Sequence, residues 1–294
     1  MNALSDLTPA LPLDPAAALV SLTPDPTLLA RLLVVVAHPD DETLALGPLL
    51  PQLRQATFVY ATDGAPRNLT DAHAAGCATR DAYAGARRAE LEAMFTQAGL
   101  TPGQARFCGL PDQEAMHALA WLARCVQRHI EESRAGLVVT HPYEGGHPDH
   151  EATAFAVHAA CALLANEGRA APAIVEAPCY HRRRDGRAAY GEFLAHPGMP
   201  QPRCRALTQD EQALKRRLLA CFGTQAATLA LFPLERQSLR RAPRYDFTCA
   251  PHSGALHYEV CGWGSGHAWR RRARGGLREL GLTQEWRAHA GSAA

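Results

Sequence analysis

Two short segments carry residues able to hold a metal ion. The first, Ala37-His38-Pro39-Asp40-Asp41-Glu42, offers one imidazole and three carboxylates. The second, His141-Pro142-Tyr143-Glu144-Gly145-Gly146-His147-Pro148-Asp149-His150, offers three more imidazoles. Adjacent side chains point different ways, so the first segment cannot turn all its acids on one ion. The remaining ligands must come from another loop, and the second segment is the evident supplier. Gly145 and Gly146 let that chain turn sharply. Two histidines and one carboxylate leave coordination positions open, which for zinc is the catalytic rather than the structural arrangement. The same donor set also holds Fe(II). Zinc is the expected ion, because nothing in the sequence suggests an oxygen cosubstrate.

Each motif alone has a plainer explanation. His-Pro-Asp is a common turn. Asp-Asp-Glu at a helix start complements the helix dipole, and Asp149 would serve as an N-cap. The elements around them decide for chemistry. Residues 32–37 (LLVVVA) form a continuous apolar, β-branched run, as in a strand buried on both faces. Further strands are predicted at 57–61, 105–108, 137–140 and 173–177. Helices are predicted at 43–54, 80–98, 113–132, 151–165 and 210–220, with a polar loop at 68–79. Strands alternating with helices specify an α/β fold, a Rossmann-like, mostly parallel sheet with helices on both faces. In such sheets functional residues gather beyond the carboxyl ends of the strands. His38 to Glu42, Asp63, Asp112 and His141 to His150 all fall there. A dinucleotide site is excluded, since the first turn lacks G-x-G-x-x-G and its carboxylates would repel a pyrophosphate.

The 294 residues are 47% hydrophobic and 20% charged, with net charge +1. This composition excludes a disordered chain and a disulfide miniprotein, and argues against a nucleic-acid binder. The nine cysteines form no C-x-x-C pair, so they read as reduced, mostly buried thiols in a cytoplasmic protein. Residues 1–30 lack a basic start and are broken by prolines, so they read as an irregular arm rather than a signal peptide. No run is long enough to span a membrane. Residues 31–294 read as one domain, with a core at 32–225 and an extension at 226–294. The stretch 240–248 is expected to roof the site or make an oligomer contact. His73, His117, His129, His141, His158 and His181 read as surface or hydrogen-bonded histidines outside the chemistry. Glu42 reads either as support for the metal site or as a helix N-terminal charge, and Asp63 as a turn-fixing side chain.

The pair Ala37-His38-Pro39-Asp40-Asp41-Glu42 and Gly146-His147-Pro148-Asp149-His150 resembles the LmbE-like, or PIG-L-like, deacetylases. Thr62-Asp63-Gly64, Arg87 with Glu90, Leu110-Pro111-Asp112 and the Glu211, Lys215, Gln225 stretch add less specific support over roughly residues 32–225. The resemblance implies a zinc-dependent N-deacetylase acting on N-acetylglucosaminyl groups. It implies His38, Asp41 and His150 as metal ligands and Asp40 as general base on a metal-activated water. It implies His147, protonated and oriented by Asp149, as acid or oxyanion stabiliser. Arg87 and Asp112 would contact substrate, although Arg87 could equally pair with Glu90 on the helix surface. Tyr143 and Glu144, beside the glycines, would line the pocket mouth.

The expected function is removal of an N-acyl group, in the first instance acetyl, from an amino sugar or its conjugate. Alternatives are an amidase cleaving a sugar–thiol conjugate and a noncatalytic sugar- or metal-binding module. The expected partner is a small-molecule amino sugar, with no nucleic acid and no membrane span. A homo-oligomer is compatible with the sequence.

Overall fold

The run Leu32–Val36 is strand β1, and all five of its residues are buried. In a computed structural model of the chain, which describes residues 14–21, 23–195 and 198–283, this strand lies inside a seven-stranded sheet, third from one edge. Its neighbours are β2 (Thr57–Pro66) and β4 (Leu137–Thr140), both parallel to it. β3 (Ala105–Asp112) and β5 (Ala173–Glu176) extend the parallel set on either side. Apart from the sheet, β6 (Tyr180–Arg182) and β7 (Ala188–Tyr190) form a small hairpin. β8 (Arg203–Ala206) and β9 (Arg236–Arg241) complete the main sheet as antiparallel strands, β9 pairing with β5. The order is β3-β2-β1-β4-β5-β9-β8. Strand order reverses between β1 and β4, and the loops leaving their carboxyl ends diverge there, opening a crevice.

Helices cover both faces. α1 (Pro15–Val20) and α2 (Pro26–Leu29) come first, followed by α3 (Asp41–Leu46), α4 (Thr70–Ala74) and α5 (Arg80–Gln97). α6 (Leu119–Ser133) and α7 (Pro148–Asn166) pack together on one face. α8 (Gln209–Leu219), α9 (Ala226–Leu229), α10 (His257–Val260) and α11 (Gly266–Glu279) follow. One apolar core lies on the side of α6, α7 and α11, around Phe155, Phe247 and Trp269. The other holds α1, α5 and α8, around Phe58, Phe95 and Phe222.

Several elements depart from the periodicity reading for identifiable reasons. The helix expected at 43–54 ends at Leu46 and continues as a 3-10 turn, Gly47–Gln52. Pro48 and Pro51 cannot donate backbone hydrogen bonds, which interrupts the α-helical ladder. The helix expected from residue 113 starts at Leu119, because Gln113 sits at φ +68 and cannot be helical. The expected polar loop at 68–79 contains α4. The part of the N-terminal arm within the described residues holds two short helices. Each begins with Asp-Pro, where Asp14 or Asp25 caps and proline occupies the first turn. Leu19 and Val20 are buried. Beyond residue 225 the chain supplies β9 and the buried Trp269 and Leu277 of α11. Among the described residues, no helix is long and apolar enough to cross a membrane.

Lys215 on α8 is the only lysine in the chain. It is 5% exposed, and its Nζ donates to the Leu44 carbonyl at the end of α3 (3.1 Å). Burial pulls its ammonium down to about 8. The folded state therefore binds fewer protons than the unfolded chain from about pH 8 to the unfolded value near 10.5. Stability should rise with pH across that window, and below it the buried charge costs up to about 3 kcal/mol. Lys215→Met should stabilise the protein at pH 7 by about 1–2 kcal/mol, after loss of the bond to Leu44. It should also abolish the rise in urea midpoint between pH 8 and 10.5. A lower midpoint at pH 7 would contradict this account.

Candidate metal centre and active site

The turn from β1 into α3 is held in an unusual conformation. Asp40 has φ +126 and ψ −30, a region that costs a non-glycine residue about 1–3 kcal/mol. Three contacts hold it there. Its backbone N–H donates to Glu42 Oε2 (3.1 Å), and its Oδ2 accepts from Arg87 Nη2 (3.0 Å). The same Arg87 nitrogen donates to the Pro39 carbonyl (2.6 Å). The guanidinium lies on Gly64 at φ +68, where a Cβ would come within 2.9 Å of Arg87 Cζ. Arg87 thus does not form the surface pair with Glu90, one of its two expected roles, and lies buried at the cavity wall. Glu90 instead accepts from Thr224. Glu42 is fully buried and also accepts from the Thr43 hydroxyl (2.7 Å), and burial raises its carboxyl to about 7. Asp63 fixes its turn by accepting the Ala65 N–H (3.0 Å) and pairs with Arg80.

The loop after β4 is equally constrained. Gly145 takes φ +76. Gly146 lies against the Tyr180 carbonyl, which a Cβ would approach to 2.1 Å. Glu151 Oε1 accepts the Gly145 N–H (2.5 Å). His147 is the N-cap of α7, its Nδ1 accepting the Asp149 N–H (3.2 Å). The Asp149 carboxylate does not orient His147 as expected. It turns toward the segment after β3, accepting N–H groups from Gln113 (2.6 Å) and Ala115 (3.0 Å). It also lies 3.4 Å from His38 Nε2. Among the hydrogen bonds of Asp149, the one to His147 is made by its backbone N–H rather than by its carboxylate.

These loops bring His38, Asp41 and His150 together. His38 Nδ1 is 3.4 Å from Asp41 Oδ2, His150 Nε2 is 3.5 Å from Asp41 Oδ1, and the two ring nitrogens are 3.3 Å apart. Donors at about 2.0–2.2 Å around a tetrahedral ion stand roughly 3.3–3.5 Å from one another. Two imidazole nitrogens facing each other beside a carboxylate suit a shared cation. The far nitrogen of His38 meets Asp112 Oδ1 (3.0 Å), an outer partner of the kind that fixes a ligand tautomer. The three residues therefore fit a divalent ion. His147 also presents a ring nitrogen within 4.8 Å of those of His38 and His150. His141 was expected outside the site, yet it is buried there, stacked on His150 at 4.1 Å and 3.3 Å from Asp41. Its Nε2 accepts the Ala37 N–H (3.0 Å), which engages the lone pair facing the cluster.

Burial and neighbouring charge set the protonation states. Burial raises the Asp40 carboxyl well above the usual range, with Arg87 acting against it. Burial also acts on Asp41, but His150 and His141 hold that carboxyl well below the usual range. Burial pulls His147 down to about 3, and the charge of His38 adds to this. With Nδ1 accepting a backbone N–H, His147 is a neutral imidazole carrying its proton on Nε2. Burial and this hydrogen bond both run against the expectation of a protonated His147.

A cavity of about 590 Å³ opens above the cluster. His38, Asp40, Asp41, Arg87, Asp112, His147 and His150 line its polar side. Tyr180, Leu229, Phe232 and Trp263 line its apolar side, and Gln225 lies at the wall with its amide on Tyr83 Oη (2.8 Å). Trp263 stands 4.9 Å from the His147 ring. No short motif in the sequence marks Tyr180, Phe232 or Trp263. Tyr143, expected at the pocket mouth, is buried away from it among Tyr245, Phe247 and Trp269, its hydroxyl donating to the Cys249 carbonyl (2.8 Å). It packs into the aromatic core on the side of α6, α7 and α11. Glu144 is also buried, bound by Arg240 (2.9 Å). Arg240 further donates to Glu176 (2.9 Å), so the stretch 240–248 braces the loop from behind rather than roofing the cavity.

Glu42→Ala should destabilise the protein by about 1–3 kcal/mol, because the Asp40 N–H and Thr43 hydroxyl lose a buried acceptor. Glu42→Gln keeps one acceptor oxygen and should recover part of that loss. Equal urea midpoints for Glu42→Ala and the wild type would refute this role.

Residues 33–161 match the family described as PIG-L: GlcNAc-PI de-N-acetylase. No curated protein matches the chain. Among solved structures, the A40926 pseudoaglycone deacetylase Dbv21 is similar at 20% identity over 74% of this chain and 98% of that one, with TM-score 0.56. A deacetylase triple mutant (Orf2*T) of the teicoplanin biosynthetic pathway is similar at 19% identity, over 73% of this chain and all (100%) of that one, with TM-score 0.54. The zinc-inhibited form of teicoplanin deacetylase Orf2 gives 17% identity over the same shares (73% and 100%), with TM-score 0.52. These likenesses are of fold. The family match itself spans both His-Pro-Asp motifs, so residues 33–161 are a PIG-L (LmbE-like) deacetylase-family domain of this chain.

Proposed function

We propose that the protein is a metal-dependent amide hydrolase that removes an N-acyl group, acetyl in the first instance, from an amino sugar or its conjugate. The mutual spacing of His38 Nδ1, Asp41 and His150 Nε2 at 3.3–3.5 Å carries this reading. These three residues would hold the ion; the donor set suits zinc or Fe(II), and zinc is favoured because nothing in the sequence suggests an oxygen cosubstrate. When bound, the ion supplies Lewis acidity toward the amide carbonyl and a more acidic water.

The chain's own groups do the rest. Asp40 accepts the proton of the attacking water at Oδ, and Arg87 keeps that carboxylate aimed into the cavity. His147, neutral, donates its Nε2–H to the oxygen on which negative charge develops. The proton held by Asp40 then passes to the amine nitrogen as the carbon–nitrogen bond breaks. His147 is unsuited to that last transfer because its proton is engaged and its other nitrogen accepts the Asp149 N–H. Asp112 serves by holding His38. The apolar wall of Tyr180, Phe232 and Trp263 offers faces for a sugar ring. Placement in a cytoplasm belongs to this proposal and is supported by the scattered spacing of the nine cysteines in the sequence.

An acetate-release and free-amine screen over N-acyl amino sugars, with the zinc-loaded protein, tests the reaction. Asp40→Asn should keep about one metal per chain and lower kcat by about 10³-fold or more. His147→Ala should lower kcat by about 10²–10³-fold with little change in metal content. His38→Ala and His150→Ala should lose the metal on dialysis, read by elemental analysis. Unchanged turnover in Asp40→Asn would overturn the mechanism. Stable sugar binding with no release by the wild type would favour a binding module, and cleavage confined to sugar–thiol conjugates would favour an amidase.

A further inference from the structure

Away from the cavity, Cys108 near the middle of β3 and Cys125 on α6 face each other with their sulfurs 2.8 Å apart. Their exposures are 7% and 8%, and a ring nitrogen of His129 lies within 4.8 Å of both sulfurs. Two chemistries suit such a group, a metal or a disulfide. Two thiolates on one tetrahedral zinc, each at about 2.3 Å, stand roughly 3.7 Å apart. The observed separation is about 0.9 Å shorter than that and lies toward the roughly 2.05 Å of a sulfur–sulfur bond. His129 is also engaged with Glu132 (3.2 Å).

We propose that Cys108 and Cys125 are a reversible dithiol–disulfide pair closed by hydrogen peroxide. The Cys125 thiolate attacks one peroxide oxygen, the O–O bond breaks, and a sulfenic acid and hydroxide result. Cys108 then attacks the Cys125 sulfur and expels the second oxygen as water. Two thiols and one peroxide give one disulfide and two waters. His129 lies beside Cys125, placed to hold the thiol proton. The Cys125 thiol is drawn below its ordinary value, first by the hydrogen bond from Cys108 and further by His129. The low exposure restricts the pair to small oxidants. The segment closed between the two cysteines carries Asp112 and Ala115, which hold His38 and Asp149, so oxidation would stiffen an outer support of the metal centre.

The full chain, treated with one equivalent of hydrogen peroxide, alkylated and digested with trypsin, tests this. Cleavage after Arg106, Arg124 and Arg128 isolates Cys108 in peptide 107–124 and Cys125 in peptide 125–128. The expected product is these two peptides joined, two hydrogens lighter than their sum, formed before any other cysteine pair and released by dithiothreitol. Oxidation should raise Tm by on the order of 5 °C, and Cys125→Ser should lose that shift. Recovery of both peptides alkylated while other thiols oxidise would overturn the proposal. So would one equivalent of zinc that Cys125→Ser releases and His38→Ala does not, because the group would then be a metal site.

Discussion

The site hangs from the parallel pairing of β1 with β4. Leu32, Leu33 and Val34 align with Leu137, Val138 and Val139, so the two strands run out side by side at the same edge. At that edge the Ala37 N–H, with no strand partner left, donates to His141 Nε2. This bond ties the start of one His-Pro-Asp loop to the start of the other. His38 and Asp41 on one side and His150 on the other then meet without either loop needing to be long. A shift of one residue in this register would send alternate side chains to the opposite face and separate the donors.

Around that junction the protein accumulates charge where water is scarce. Asp40, Asp41, Glu42, Asp149, Glu151 and several histidines are all nearly or fully buried. Buried charges are costly unless hydrogen-bonded or neutralised. Most of these carboxylates accept two or more hydrogen bonds or face an imidazole, and Asp40 faces Arg87. The strained Asp40 backbone belongs to the same arrangement. It persists because Glu42, Arg87 and Gly64 restrain it from three directions, a pattern common where a side chain must be presented at a fixed angle.

The later part of the chain acts as a brace and a wall. Arg240 on β9 reaches Glu176 on β5 and Glu144 in the β4–α7 loop, with Tyr245 closing the network. The His257 N–H bonds the Gly145 carbonyl, and the Trp269 indole bonds the Pro148 carbonyl. The loop that presents His147 and His150 is thus gripped by residues about a hundred positions further on. The cavity's aromatic side is built from the same region, through Phe232 and Trp263.

Sequence alone was sufficient for the parallel α/β architecture and for placing both His-Pro-Asp loops at the carboxyl ends of its strands. Apolar runs such as Leu32–Val36 and Leu137–Thr140 and the residue types at their carboxyl ends are local properties. Local patterning failed where prolines or a left-handed residue broke an otherwise helical run, as at Pro48, Pro51 and Gln113. Tertiary structure alone decided how side chains within the loops divide their work. His141 enters the cluster, Tyr143 leaves for the aromatic core, and Asp149 turns to the β3 segment instead of His147. It also decided that burial favours a neutral His147 and that Trp263 stands beside it. Such outcomes depend on contacts across some 35 to more than a hundred residues and on burial, and neither leaves a periodic trace in the order of amino acids.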